Sequence, residues 1–338
     1  MYRRAYHKGK GRALSGRSPN TMYLRTMRGR FVFPLVLMLL SQVLAAQLPM
    51  PELSAGTLIR IDSFASSYVD ARPVDIWLPP GYETTQQYPV LYMQDGQMLF
   101  DARTTWNKQE WGMDEVIPAL IDSGQIQAFI LVAVWNNAPV RYLEYTSMKP
   151  FVYFSDSDMA ILRDEPATGR LFTGDNLKGD LYLRFLVSEL KPYIDSHYPT
   201  LSGREDTFIM GSSFGGLISM FAICEYPEVF GGAACLSTHW TGLYRQENNP
   251  FPFAMLAYFK DHLPDPSTHK LYFDHGTTTL DSLYAPYQQS ADQIMREGGY
   301  TAANSLSLVF EGAPHTEEAW HDRVHIPITF LFGKGDDH

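Results

Sequence analysis

TFIMGSSFGG, residues 207–216, runs an apolar strand pattern straight into a glycine-rich turn and out into a helical pattern. Within it stands G-x-S-x-G, as Gly211-Ser212-Ser213-Phe214-Gly215. Strand, turn and helix in that order are the context a nucleophile elbow requires. The turn is so tight that positions two before and two after the serine need minimal side chains, which Gly211 and Gly215 provide. Ser213 then stands with its hydroxyl exposed above the sheet. The helix opening at Phe214 aims its free N–H groups and positive end at the same point. The plainer alternative is a strand-to-helix turn carrying an idle serine.

Outward from the elbow, strand patterns alternate with helical ones. Residues 57–64 and 74–78 alternate apolar and polar side chains, as half-buried strands do. Residues 88–93 and 129–134 are continuous apolar runs, suited to strands covered on both faces of a parallel sheet. Between them, 113–121 has helical spacing, with Gly124 placed to stop it. Residues 181–198 predict a longer amphipathic helix with Leu183, Leu186, Val187 and Leu190 on one stripe. Strand patterns at 208–211, 232–236, 271–273 and 306–310 and helical ones at 214–225, 284–296 and 317–330 complete the series. The alternation predicts an α/β fold, a mostly parallel central sheet flanked by helices on both faces. Residues 146–179 and 241–267 fit no regular element. In this architecture they fall near the carboxyl ends of the strands, where ligands bind.

The chain has 338 residues, 45% of them hydrophobic, which excludes a wholly disordered protein. Its length suffices for a core without disulfide or metal staples. A net charge of −10 argues against a nucleic-acid partner, because phosphate binding needs clustered positive charge. The charge is uneven. Residues 1–46 hold nine Lys or Arg and no Asp or Glu, which leaves 18 positive against 37 negative residues beyond them, a net of −19. Residues 31–46 (FVFPLVLMLLSQVLAA) form a short apolar run behind Arg25, Arg28 and Arg30 and end on small residues. That pattern describes a secretory signal peptide over 1–46, cut after Ala45 or Ala46, with Met27 as an alternative start. An uncleaved N-terminal anchor is the alternative, although the run is short for a membrane span. No Cys follows the run, so no lipid anchor and no stable membrane association after cleavage are expected. Residues 47–56 read as a linker and 57–335 as the catalytic domain, periplasmic or secreted. In an oxidising compartment Cys224 and Cys235 either pair or serve as two small buried hydrophobes.

A serine hydroxyl is a poor nucleophile until a base takes its proton. With this elbow the partners follow in the order Ser, Asp or Glu, His. His315, in E-G-A-P-H-T-E-E-A-W, falls on the loop between the last strand and the last helix, where the base belongs. Asp281 falls a few residues past the strand at 271–273, where the orienting acid belongs, with gaps of 68 residues to Ser213 and 34 to His315. Asp274 at the strand end is the competing acid and Glu311 a third, and Asp281 also suits a helix N-cap. Two N–H donors must meet the developing oxyanion. One is the amide of Phe214, directly after the serine. The Gln97 amide, in the turn Met93-Gln94-Asp95-Gly96-Gln97-Met98, is the candidate for the second.

Residues 130–145 (ILVAVWNNAPVRYLEY), 182–194 (YLRFLVSELKPYI), 211–216 (GSSFGG) and 315–320 (HTEEAW) together resemble the putative-esterase family of α/β hydrolases. That family includes enterobactin-type siderophore esterases, feruloyl and acetylxylan esterases, S-formylglutathione hydrolases and mycolyltransferases. The resemblance covers about residues 57–334 and implies the α/β-hydrolase fold, the Ser213–His315 pairing and acyl-ester chemistry. Asp95-Gly96-Gln97 matches the family's oxyanion loop, where many members have His-Gly. Some members place the acid two residues nearer the Gly-Thr, which here is Thr279, and some work with a Ser–His pair alone. Asp281 is the nearest acidic match.

Other residues weigh less. His321 and His325 have the i, i+4 spacing of two zinc ligands but lack a third, so no metal is expected, and no cofactor. His239 and Trp240 follow a strand end and are candidates for substrate contact, with a structural role as the alternative. Trp106, Trp111 and Trp135 suit either a pocket wall or the core. Arg141 and Glu144 suit a structural ion pair. The sequence therefore predicts an exported serine esterase with a Ser213–Asp281–His315 triad and a Phe214–Gln97 oxyanion hole. The substrate expected is a small-molecule or glycan-linked ester, either a carbohydrate-linked acyl ester or a siderophore ester. An acyltransferase sharing the acyl-enzyme and a non-catalytic hydrolase-fold binding protein are the alternatives.

Overall fold

Eight strands form one sheet in the order β1-β2-β4-β3-β5-β6-β7-β8. In chain order they are Thr57–Phe64, Arg72–Leu78, Val90–Met93, Ile130–Val134, Thr207–Ser212, Gly232–Leu236, Lys270–Gly276 and Ser305–Phe310. β1 pairs antiparallel with β2, and β2 antiparallel with β4. From β4 to β8 every pairing is parallel. This computed structural model describes residues 48–164, 176–242 and 248–334. The expected signal peptide or anchor, 1–46, lies outside the described residues, among which no helix is long and apolar enough to cross a membrane.

Strands β3 to β6 are buried at every position, as a sheet covered on both faces demands. Alternate side chains divide between two cores. Val90, Tyr92, Ile130, Val132 and Ile209 face one, together with the helices Phe214–Glu225 and Phe251–Asp261. Leu91, Met93, Leu131, Phe208 and Met210 face the other, together with the helices Met113–Asp122 and His325–Phe332. The elbow helix Phe214–Glu225 has no polar face to speak of. Eleven of its twelve residues are buried, so it is held by packing all round rather than along one stripe. A fully buried Leu217 or Phe221 contributes about 1.5–3 kcal/mol of transfer free energy. The α/β-hydrolase architecture, a largely parallel sheet between helical layers, follows from these pairings and faces.

Four local expectations differ in detail from the structure. The helix expected over 181–198 runs without a break over 179–197, but as Gly179–Phe185, a π turn at Leu186–Leu190 and Lys191–His197. Pro192 has no N–H for the carbonyl four residues back, and the chain widens to accommodate it. The helix expected over 317–330 is two, Glu317–His321 and His325–Phe332. The second restarts so that Pro327 falls in its first turn, where no N–H is required. The stretch read as a linker is tied down from residue 52 on. The Glu52 amide donates to Asp101 (2.9 Å), the Ser54 amide to Asp114 (2.6 Å), and the Trp77 indole to the Ala55 carbonyl (2.9 Å). The two stretches read as irregular contain the helices Asp156–Asp164 and Phe251–Asp261 among their described residues.

Candidate active site

The parallel strands end on one edge of the sheet, and the chemistry-bearing residues follow from those ends. Ser213 succeeds β5 with φ 59° and ψ −125°, a conformation that costs a non-glycine residue on the order of 1–3 kcal/mol. It is held there by its amide donating to the Leu236 carbonyl (2.9 Å) and its carbonyl accepting from the His239 amide (3.1 Å). Gly211 is required by contact. A Cβ there would stand 2.7 Å from the Gly215 carbonyl carbon and 2.8 Å from Gln94 Cγ. Ser213 is only 8% exposed.

His315, on the loop after β8, is fixed from two sides. Its amide donates to Thr279 Oγ1 (2.8 Å), and its Nδ1 lies 2.5 Å from Asp281 Oδ1. A carboxylate accepts, so Nδ1 carries the proton and Nε2 is left as the basic nitrogen. Asp281 sits in the 3-10 turn Thr279–Leu283 after β7 and is fully buried. It is not a helix cap. Its second oxygen accepts from Ser237 Oγ (2.6 Å) and the Gly276 amide (2.6 Å). Burial on its own pushes this carboxyl up, but the hydrogen bonds from His315, Ser237 and Gly276 outweigh it and hold Asp281 below the ordinary carboxylate range. Asp274, the competing acid, is occupied elsewhere. Arg323 Nη2 donates to it at 2.9 Å and the Tyr272 hydroxyl at 2.8 Å.

The turn after β3 passes so close to β4 that a Cβ on Gly96 would meet the Ala133 backbone at 2.5 Å. Asp95 takes a left-handed conformation (φ 58°). Arg141 grips its carboxylate through two bonds of 2.7 Å, and Asn136 Nδ2 adds a third at 2.7 Å. Gln97 is pinned by its Oε1 accepting from the Asn136 amide (3.0 Å). Gln97 and Phe214 lie in the first turns of helical segments, where N–H groups have no intrahelical acceptor. Among the described residues the non-glycine residues with positive φ are Asp95, Lys108, Ser213, Ser237 and Thr279, of which Asp95 and Ser213 stand in these two turns. Strain concentrated in this way is characteristic of sites whose geometry is imposed by their surroundings.

A cavity of about 500 Å³ opens over these residues. Ser213, His315 and Gln97 line it, together with polar Asn107, Asn136 and Glu317. Trp111 stacks on Trp320 (centroids 5.4 Å) to form an inner wall. Trp106 also lines the cavity, yet 83% of its surface is exposed. Its loop is anchored by Asn107 donating to Glu317 (2.8 Å).

The other sequence expectations sort as follows. His239 and Trp240 do not line the cavity. His239 Nε2 donates to the Gly242 carbonyl (2.5 Å) while Nδ1 meets the Tyr284 hydroxyl (2.6 Å). Trp240 is fully buried and donates to Gln288 (3.2 Å). Both are therefore interior residues rather than substrate contacts, because their polar atoms are committed within the fold. Trp135 bonds Asp75 (2.9 Å) away from the cavity. Arg141 and Glu144 do form ion pairs, but not with each other. Arg141 pairs with Asp95 and Glu144 with buried Arg72 (2.8 Å). His321 closes one helix and His325 opens the next, so they share no continuous helical face. Among the described residues no three His, Cys, Asp or Glu side chains gather as metal ligands. Cys224 and Cys235 are buried free thiols. The sequence reading missed Asp95 as the anchor of the turn, Glu317, and Ser237 behind the acid.

A family model described as putative esterase matches residues 66–321. An uncharacterized protein of Bacillus subtilis, YbbA, is 24% identical over 270 residues, 78% of this chain and 93% of that protein. A ferulic acid esterase from the anaerobic fungus Anaeromyces mucronatus superposes with a TM-score of 0.57 at 17% identity, covering 84% of this chain and 92% of that one. The enterobactin esterase from Shigella flexneri superposes with a TM-score of 0.53 at 15% identity, covering 83% of this chain and 60% of that one.

Proposed function

Because the chain belongs to the putative-esterase family and is a carboxylic ester hydrolase, we propose that it cleaves its ester through an acyl-enzyme on Ser213. The observation that carries this reading is the 2.5 Å contact between His315 Nδ1 and buried Asp281, beside a cavity that Ser213 and His315 both line. Ser213 Oγ attacks the ester carbonyl carbon as His315 Nε2 takes its proton. Asp281 holds the imidazole in the required tautomer and stabilises the imidazolium. The Phe214 and Gln97 amides receive the oxyanion, a contribution of about 2.7–4 kcal/mol per donor to transition-state stabilisation. The imidazolium then protonates the departing alcohol. Water, deprotonated by the same nitrogen, attacks the acyl carbon and releases the acid and free Ser213.

The substrate we propose is a carbohydrate-linked acyl ester or a siderophore ester. An exposed indole beside Asn107, Asn136 and Glu317 offers a flat apolar face with hydrogen-bonding groups around it, which suits a pyranose or an aromatic acid. The fungal and Shigella relatives, a ferulic acid esterase and an enterobactin esterase, are compatible with either. The basic, apolar segment 1–46 supports export of residues 57–335 as the catalytic domain. Hydrolysis of a p-nitrophenyl ester series from acetate to longer acyl chains, by the wild type and Ser213→Ala, tests the reading. Activity in the wild type and its near-complete loss in the variant are expected. Equal activity in the two removes Ser213 as nucleophile.

A further inference from the structure

Ser237 follows β6, is fully buried, and holds φ at +42°. Its amide donates to the Asp274 carbonyl (2.8 Å). Three groups surround its hydroxyl: Asp281 Oδ2 at 2.6 Å, Trp320 Nε1 at 3.0 Å and Arg323 Nη2 at 3.0 Å. An indole N–H and a guanidinium only donate, so both lone pairs of Ser237 Oγ are taken. Its single proton therefore goes to Asp281. The direction of the chain follows from the two donor-only groups. Arg323 and Trp320 donate to Ser237, Ser237 donates to Asp281, and Asp281 accepts from His315.

We infer that Ser237 is a positioning residue that fixes the carboxylate of Asp281 and moderates the basicity of His315. This rests on the reading of Ser213, His315 and Asp281 given above. A carboxylate that accepts a strong hydrogen bond on one oxygen is a weaker acceptor on the other. Ser237, made a better donor by a cation and an indole behind it, draws charge from Asp281 and so limits how tightly the imidazolium is held. The charge of Arg323 is itself balanced by Asp274, so the relay brings a polarising donor to the acid without a net positive charge. The other groups that bear on His315 come from different elements. Glu317, Arg141 and Asp95 line the same cavity, and Tyr284 stands edge-on to the ring at 5.9 Å with its hydroxyl committed to His239. Tyr272 donates to Asp274 and completes the buried set.

The test is the pH profile of kcat/KM for the full chain carrying Ser237→Ala and, separately, Ser237→Gly, which suits the positive φ. Without the hydroxyl, Asp281 becomes a stronger acceptor for the imidazolium. The acid limb is expected to move to higher pH by about half a unit or more in both variants. The same variants are expected to lose about tenfold in kcat with KM little changed, from a looser His315. A folded variant with reduced kcat and an unmoved acid limb would reduce Ser237 to a packing role and overturn the inference, as would unchanged kinetics. Asp281→Asn separates the two levels. If it loses activity while the Ser237 variants behave as wild type, only this inference falls. If Asp281→Asn is fully active, the assignment of the acid falls with it.

Discussion

His315 Nδ1 and Asp281 Oδ1 meet at 2.5 Å across 34 residues of chain, although Asp281 has no exposed surface and His315 faces the cavity. The contact exists because β7 and β8 run parallel and adjacent, which brings the loops that follow them together. A buried carboxylate has no water to satisfy it, so every one of its partners is provided by the fold.

Asp281→Asn is expected to lower kcat by roughly 10³–10⁴, because an amide at this position favours the wrong imidazole tautomer. Steady-state kinetics on a p-nitrophenyl ester measures it. A loss below about tenfold would indicate that Ser213 and His315 work as a pair without the acid.

The same substitution carries a prediction about stability. The hydrogen bonds to Asp281 hold its folded-state ionisation below that of an unfolded chain. Its contribution is therefore present above the ordinary carboxylate range and is lost as pH falls through the folded value. Melting temperatures of the wild type and Asp281→Asn should differ most near neutrality and converge as the solution is acidified below the ordinary carboxylate range.

Asp114 runs the other way. Burial raises its carboxyl to about 6, although the Ser54 amide donates to it. The ionised form is thus penalised in the folded chain, a cost absent below the ordinary aspartate pKa and incurred as pH rises through about 6. Asp114→Asn keeps an acceptor for Ser54 and is expected to raise the melting temperature at pH 8 but not at pH 4.

Trp106→Ala should leave hydrolysis of p-nitrophenyl acetate within about twofold and raise KM severalfold for a feruloyl or other aryl-bearing ester. The indole is 83% exposed, so no core packing is lost with it. An equal effect on both substrates would place Trp106 outside substrate recognition.

The parts of this molecule legible in its sequence are those written in short range. The strand at 207–212, the glycines of the turn and the helix behind them are contiguous, and the burial of β3 and β4 is written in unbroken apolar runs. The pairing of His315 with Asp281 rather than Asp274 is a matter of strand order, and the deciding fact is that Arg323 already occupies Asp274. Arg141 shows the limit. Glu144 is its neighbour in the chain, but the helix Arg141–Glu144 turns them toward different partners, Asp95 and Arg72. Ser237 carried no signal at all, since a serine after a buried strand is commonplace. Only the convergence of the segments after β6 and β7 with the helix Glu317–His321 and the turn that follows it gives it three partners. His239 and Trp240 follow the end of β6, but their rings pack against Phe214 and Phe273 rather than lining the cavity.

Labelling of the full chain with a fluorophosphonate, followed by peptide mass spectrometry, tests the central claim most directly. The account predicts one adduct, on Ser213, that is absent in Ser213→Ala and formed much more slowly in His315→Ala. A wild-type chain that hydrolyses esters while Ser213 stays unlabelled, or a Ser213→Ala variant labelled at another residue and still active, would contradict it.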